Sequence, residues 1–156
     1  MFLDIIFQIW KRLSGKLQWR FLWLVNSKFM VCVSGVVFDE DRCILLQRHR
    51  HWVQDVWGLP GGIVQSGETL EEAFAREVFE ETRLVISGIE LVQVVSNYRL
   101  RLEMYFRANL DENSKPRDIH LQKQEVLEAR FFPYNQLPLN LLPIQKKVIE
   151  QVVNLT

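Results

Sequence analysis

Residues 62–84 read GIVQSGETLEEAFAREVFEETRL, and their polar residues stand at defined intervals. The order is Gly62, five residues, Glu68, seven residues, Arg76-Glu77-Val78, one residue, and Glu80-Glu81. Within this stretch, Leu70–Thr82 has strong helix formers and neither Pro nor Gly, which predicts a helix. Thr69 suits its N-cap. The stretch therefore predicts a loop that leads into a single amphipathic helix.

Three glutamates of this predicted helix share one face. Glu77, Glu80 and Glu81 stand at i, i+3 and i+4, whereas Arg76 is expected to point elsewhere. A solvated polar face is one interpretation, but like charges at this spacing repel by some tenths of a kcal/mol per pair. A hard divalent cation bound by carboxylate oxygens would remove that repulsion. Both interpretations are open from the spacing alone.

The same stretch resembles the Nudix box, which is Gly, five residues, Glu, seven residues, Arg-Glu-aliphatic, one residue, Glu-Glu, one residue and Gly-aliphatic. One position differs, because Arg83 stands where the family has its last glycine. A helix end commonly needs a residue at positive φ, which Gly adopts more freely than Arg. We therefore expect the helix to end one turn later, towards Ser87-Gly88.

The resemblance implies the site. Metal ligands are expected from three carboxylates and one backbone carbonyl: Glu77, Glu80, Glu81 and Gly61. Catalytic roles are expected for Glu77, Glu80, Arg76 and Glu125, with Glu128 as the alternative to Glu125. Glu68, paired with Arg76, and Gly62 are expected to support the site. The cofactor implied is Mg²⁺, with Mn²⁺ as the alternative.

The resemblance also implies the reaction. We expect a pyrophosphohydrolase that cleaves a phosphoanhydride bond in a nucleoside diphosphate linked to another moiety. Nucleoside triphosphates and nucleotide sugars, including ADP-ribose-like compounds, are equally compatible substrates. Two alternatives remain, a non-catalytic nucleotide-binding sensor on a Nudix scaffold and a membrane-recruited or dimeric module. Because the chain retains every carboxylate of the box, the sequence favours the enzyme.

The fold expected is α/β, an α/β/α sandwich with a mixed sheet, which the resemblance implies for residues 29–156. The order of predicted elements, with strands and helices not strictly alternating, agrees with a mixed sheet that has helices on both sides. Strands are predicted at 29–38, 43–47, 89–98, 101–110 and 125–132, and a last helix starts at Pro143. With 156 residues and 48% hydrophobic residues, the chain can bury the core of one domain.

Residues 1–28 form a separate segment, an amphipathic or apolar helical extension. Five basic residues against the single acidic residue Asp4 give it a net charge of +4. Its uncharged apolar runs are shorter than the roughly 18 residues of a spanning helix. Three interpretations are open, namely packing on the domain, a homodimer contact, and peripheral contact with an anionic membrane surface through residues 1–25.

Four residues are candidates for substrate binding. Trp52 and Tyr98 offer rings that stack on a base, and Arg48 and Arg50 offer cations for phosphates. The three histidines lack paired metal-ligand spacing, so we expect lone surface residues.

Composition limits the partners and the compartment. Lys and Arg number 19, as do Asp and Glu, so a small nucleotide is a more fitting partner than a nucleic-acid polymer. Two isolated cysteines without a secretory signal pattern favour a cytoplasmic protein, with a position at the membrane surface as the alternative.

Overall fold

The structure, a computed structural model, describes residues 7, 8, 10–52, 55–98, 100–122 and 124–154. It divides the chain into two compact units, Met1–Met30 and Val31–Thr156. The helices and strands in chain order are α1 (Gly15–Val25), β1 (Met30–Phe38), β2 (Ile44–His49), β3 (Gly61–Ile63), α2 (Leu70–Thr82), β4 (Ile86–Tyr98), β5 (Arg101–Leu110), β6 (Val126–Phe132) and α3 (Pro143–Asn154). The boundary after residue 28 remains a proposal.

The described strands of the second unit form one sheet. Its order is β4-β5-β1-β2-β6, and the short strand β3 pairs with β1 outside this path. β3 runs antiparallel to β1, with Gly62 opposite Val33 and Gly61 opposite Ser34. β6 runs antiparallel to β2, with Val126 opposite His49. This pairing brings the glycine-rich segment and the ends of β2 and β6 to the helix α2.

Hydrophobic residues of the sheet are buried on both faces because strand side chains alternate. Val33, Val37 and Leu45 pack with Phe74 and other residues of α2 in one cluster. Residues of the same strands with the opposite orientation pack with α3 in a second cluster: Val36, Phe38, Ile44, Leu46, Val148, Ile149 and Val152. The fold is therefore the expected α/β/α arrangement, with a mixed sheet between helices.

One expectation about α2 is wrong. The helix ends at Thr82, and Arg83 itself takes the left-handed conformation at φ 63°, where its backbone N–H donates to Phe79 O. Arg83 therefore closes the helix in the conformation that glycine would adopt more readily. No extra helical turn follows, because β4 already begins at Ile86.

The first unit contains α1, which begins at Gly15 directly after its N-cap residue Ser14. Inside this unit the Trp10 and Phe21 rings meet edge to face at 5.7 Å. Residues 1–6 and 9 of the predicted helical extension lie outside the described residues. Among the described residues, no helix has both the length and the apolar character needed to cross a bilayer.

Candidate metal-dependent active site

Local sequence fixes the start of α2. Thr69 and Glu72 form a reciprocal cap, in which Glu72 N–H donates to Thr69 Oγ1 at 3.2 Å and Thr69 N–H donates to Glu72 Oε2 at 2.8 Å. The buried side chains Ala73, Phe74 and Val78 then anchor the helix on the sheet. The polar face of α2 is consequently held at a defined position beside β3.

Arg76 ties the loop before α2 to the helix. Its Nε and Nη2 donate to the two carboxylate oxygens of Glu68 at 2.9 and 2.8 Å. Nη2 also donates to Ile63 O at 3.1 Å. The guanidinium, followed by the N–H of Gln65, lowers the pKa of Glu68 to about 2. Such a two-bond pair has a defined geometry, which suits the supporting role predicted for Glu68.

The remaining nitrogen of Arg76 reaches the glutamate face. Nη1 donates to Glu77 Oε1 at 2.8 Å and to Glu80 Oε2 at 3.3 Å. The expectation that Arg76 points away from these glutamates is therefore wrong, because its long side chain spans the helix surface to the i+4 position. Burial raises the pKa of Glu77, and the Arg76 guanidinium opposes that effect. Glu80 remains 46% exposed.

Glu81 is the buried member of the glutamate face, with 1% of its surface exposed. Its Oε2 accepts a hydrogen bond of 3.1 Å from Gly61 N–H. Its Oε1 lies 2.7 Å from Nε2 of His49, whose ring stacks on Trp52 at 4.7 Å. Two contacts from distant parts of the chain thus hold this carboxylate in position.

His49 was missed as a site residue, and the expectation that it is a lone surface histidine is wrong. Its side chain is only 12% exposed. The predicted strand ended at residue 47, whereas β2 continues to His49. Because Leu45, Gln47 and His49 follow the two-residue period of a strand, an extended β2 would have placed His49 on the face towards α2. His120, in contrast, is exposed, and its Nδ1 lies 2.7 Å from Asp118 O.

The two glycines of β3 create the space beside the carboxylates. A Cβ at Gly62 would lie 2.3–2.5 Å from the carboxyl atoms of Glu77. A Cβ at Gly61, which has φ 151°, would lie 2.1 Å from Val33 O. Glu77 therefore occupies room that exists only because residue 62 lacks a side chain. The carbonyl of Gly61 as a ligand remains a prediction.

Glu125 lies at the start of β6, directly before Val126, which pairs with His49. Its carbonyl accepts a hydrogen bond of 2.7 Å from Arg50 N–H, and its side chain is exposed. The alternative, Glu128, binds Arg48 Nη2 at 2.7 Å and also contacts Arg130. The register thus brings Glu125 to the strand end that carries His49, whereas Glu128 is engaged in ion pairs. A catalytic role for Glu125 remains a prediction.

The donor set suits a hard divalent cation. All the side-chain ligands predicted are carboxylates, which hard cations prefer. Glu81 is buried, and Gly62 leaves space next to Glu77. Among the described residues, no three acidic, histidine or cysteine side chains converge as a ready metal site. In this conformation Arg76 binds Glu77 and Glu80 while His49 binds Glu81. A cation at this face would share the carboxylates with Arg76 and His49, since an ionised carboxylate has more lone pairs than these hydrogen bonds use.

The predicted substrate-binding residues have different surroundings. Arg48 is paired with Asp55 at 2.6 Å and with Glu128, so its charge is already balanced. Arg50 follows β2 in a turn, and the side chain of Tyr98 lies outside the described residues. Trp52 lines a cavity of about 50 Å³ that also contacts Gly61, Gly62, Arg101 and Glu103.

That small cavity adjoins the first glycine of the box, Gly62. A larger cavity of about 400 Å³ is lined by residues 38–40, 42, 109–112 and 114–116, none of which belongs to the box. The smaller cavity is linked to the carboxylates of the box through its two glycines, since Gly61 N–H donates to Glu81 and a side chain at Gly62 would meet Glu77.

Comparison with known proteins identifies the family. The model of the NUDIX domain matches residues 28–152. The NAD-capped RNA hydrolase NudC of Shigella dysenteriae is 33% identical over 129 residues, 80% of this chain and 48% of the relative. The NudC of Edwardsiella ictaluri is 31% identical over 152 residues, 95% of this chain and 55% of the relative. The chain thus spans about half the length of these curated relatives.

Solved structures have the same fold. The MutT Nudix hydrolase of Burkholderia pseudomallei aligns with a TM-score of 0.68 and 22% identity, covering 80% of this chain and 98% of that one. The Nudix domain of Shewanella oneidensis NrtR, solved with ADP ribose, aligns with a TM-score of 0.68 and 23% identity, covering 94% and 96%. The match to the family model and the identity to the curated relatives show that the chain belongs to the Nudix family.

Proposed function

We propose that the chain is a metal-dependent pyrophosphohydrolase that cleaves a phosphoanhydride bond in a nucleoside diphosphate linked to another moiety. One observation carries the proposal. The carboxylate of Glu77 fills the space that a side chain at Gly62 would take, on the same helix face as the buried Glu81. Burying carboxylates against glycine backbone costs free energy, and a helix face that served only as a solvated surface would not incur this cost.

The residues proposed to hold Mg²⁺ or Mn²⁺ are Glu77, Glu80, Glu81 and the carbonyl of Gly61. Such an ion, when bound, neutralises phosphate oxygens and lowers the pKa of a bound water. Mg²⁺ prefers carboxylate and carbonyl oxygens, which is the chemistry of this set. The anionic pyrophosphate would otherwise repel both the glutamates and the attacking water's developing charge.

The chain's own residues position these groups. The pair of Glu68 and Arg76 holds the loop and the helix in register through two hydrogen bonds. His49 and Gly61 N–H hold Glu81. One of the proposed ligand carboxylates, Glu77 or Glu80, is our first candidate for accepting the proton of the attacking water. Glu125 is a second candidate, on a neighbouring strand end.

Among the four residues predicted to bind the substrate, Trp52 has a position that supports the prediction. Its ring lines the cavity next to Gly61 and Gly62, where it could stack on a base. The balanced ion pairs of Arg48 favour a structural role for that residue instead. Because the relatives NudC are named for NAD-capped RNA, we include dinucleotides and capped RNA among the candidates. The expectation that no nucleic-acid polymer is bound stays a prediction.

The test is release of phosphate, after coupling to a phosphatase, from a panel of compounds. The panel contains nucleoside triphosphates, nucleotide sugars, ADP-ribose, NAD(H) and NAD-capped RNA. Each compound is assayed with Mg²⁺, with Mn²⁺ and with EDTA, for the wild type and Glu80→Gln. We expect turnover of at least one compound that needs the metal and falls by about 100-fold or more in Glu80→Gln.

A matched control is available on the same helix. Glu71 is an exposed glutamate of the first turn of α2, so Glu71→Gln removes the same charge away from the proposed ligands and should retain wild-type turnover. Equal losses in both variants would contradict the assignment of the ligands. Tight binding of one compound without turnover of any would overturn the enzyme and favour the nucleotide sensor.

A further inference from the structure

The helix α1 presents large apolar side chains to solvent. No residue of α1, all of which the structure describes, is buried. Its exposed apolar side chains include Leu17, Trp19, Phe21, Leu22, Trp23 and Leu24. Trp19 is 69% exposed and Leu24 is 71% exposed. Large contiguous apolar surfaces on soluble proteins mark contacts with a protein or a membrane.

Basic and tryptophan side chains lie on adjacent strips of the surface of α1. Lys16 and Arg20 stand four residues apart and therefore share one strip of its surface. Trp19 and Trp23 form a parallel pair directly beside that strip. Past the end of α1, Lys28 Nζ lies 4.6 Å from the centre of the Trp23 ring. Tryptophan next to basic residues is typical of the boundary between lipid headgroups and acyl chains.

The charge distribution favours an anionic membrane over a second copy of the chain as the partner of α1. Residues 5–38 contain no Asp or Glu, and residues 1–28 carry a net charge of +4. Two copies of such a segment would repel each other across a homodimer interface. An anionic bilayer surface instead complements the charge and accepts the apolar side chains. We propose that α1 lies in the headgroup region of an anionic membrane and holds the Nudix domain at its surface.

This proposal is independent of which substrate the domain cleaves. It predicts contact with one leaflet rather than passage through the bilayer. The contact combines two contributions, the electrostatic attraction of the basic residues and the burial of apolar side chains. Each contribution can be removed separately by substitution.

The experiment is co-sedimentation of the full chain with vesicles of phosphatidylcholine, alone or mixed with phosphatidylglycerol. We expect binding to the mixed vesicles only, and weaker binding as the salt concentration rises. Lys16→Ala with Arg20→Ala should weaken binding by about 25-fold, since each basic residue near an anionic surface contributes about five-fold. The matched control, Lys146→Ala with Lys147→Ala, removes two exposed charges of α3 and should leave binding unchanged.

A second variant tests the apolar contribution. Trp19→Ala with Trp23→Ala should reduce vesicle binding, whereas replacement of both by Phe should largely retain it. Circular dichroism and thermal unfolding verify that each variant is folded. Equal affinity for both kinds of vesicle, or no binding to either, would overturn the proposal. If binding is absent and light scattering gives the mass of a dimer that the Trp→Ala variant dissociates, α1 is a homodimer contact instead.

Discussion

The substitution Gly62→Ala should separate the folding of this domain from its activity. An alanine Cβ would lie 2.3, 2.4 and 2.5 Å from Cδ, Oε2 and Oε1 of Glu77. Ordinary carbon contacts are about 3.5 Å, so the carboxylate must retreat by about 1 Å. The atoms that have to move are the far end of a flexible side chain. The backbone around them can therefore stay in place.

The two effects of Gly62→Ala can be estimated. Loss of the charge-assisted hydrogen bond from Arg76 to Glu77 costs about 1.5–3 kcal/mol, and the reduced entropy of the unfolded chain offsets about 0.4–1 kcal/mol of this. The free energy of unfolding should therefore fall by about 0.5–2.6 kcal/mol, which leaves the domain folded. A displacement of about 1 Å at a reacting group costs about 100-fold in rate, or about 2.7 kcal/mol. We expect kcat/KM to fall by that factor.

Two further glycines serve as comparisons. Gly61→Ala should cost about 2–3 kcal/mol of stability, because its Cβ would meet the backbone atom Val33 O at 2.1 Å and its φ is 151°. Gly15→Ala, whose Cβ meets nothing within 4 Å, should leave both quantities near the wild type. Urea unfolding and kcat/KM as a function of Mg²⁺ concentration measure the two effects. Wild-type kcat/KM in Gly62→Ala at every Mg²⁺ concentration would refute the assignment of Glu77.

Three other predictions concern neighbouring residues. Arg83→Gly should raise the free energy of unfolding by about 1 kcal/mol in urea titrations, because the left-handed conformation at φ 63° costs a residue with a Cβ about 1–2 kcal/mol. An unchanged urea midpoint would contradict this backbone strain. His49→Phe keeps a ring beside Trp52 but loses the hydrogen bond to Glu81. The Mg²⁺ concentration for half-maximal activity should therefore rise about 10–100-fold. The control variant His51→Phe, at an exposed neighbouring residue, should not change that concentration. The pKa of Glu68 is lowered from 4.5 to about 2 in the folded state, so its stabilisation is present above the unfolded pKa and is lost as the pH falls through the folded pKa. Between about pH 4.5 and pH 2 the melting temperature of the wild type should therefore fall more steeply than that of Glu68→Gln, and parallel curves would argue against the pair with Arg76.

Much of the fold was predictable from local patterns. The helix α2 begins at Leu70 as predicted, because its cap, its helix formers and its apolar face lie within one short segment, although it ends at Thr82 and not one turn later. β5 also has the predicted bounds, Arg101–Leu110. β3 was not predicted, since Gly61–Ile63 has the composition of a turn and becomes a strand only by pairing with β1. Arg83 shows the limit of a propensity argument, because the packing of β4 directly after α2 outweighs the preference for glycine.

The candidate site was predictable where it depends on one helix. The spacing of Glu77, Glu80 and Glu81 places them on one face, since helical geometry repeats every 3.6 residues. The partner of Glu81 was not predictable in this way. His49 is 32 residues away in sequence, and its contact depends on how far β2 extends and on where α2 lies against the sheet.

The sequence by itself determined the family, the helix that carries the glutamates and the carboxylates that we propose as metal ligands, because all of these are encoded in one contiguous stretch. The tertiary structure decided which carboxylate is buried, which neighbours hold it and how much room adjoins Glu77. Burial and hydrogen bonding between segments distant in the chain follow from strand register and packing, and these are set by the whole core rather than by any local pattern.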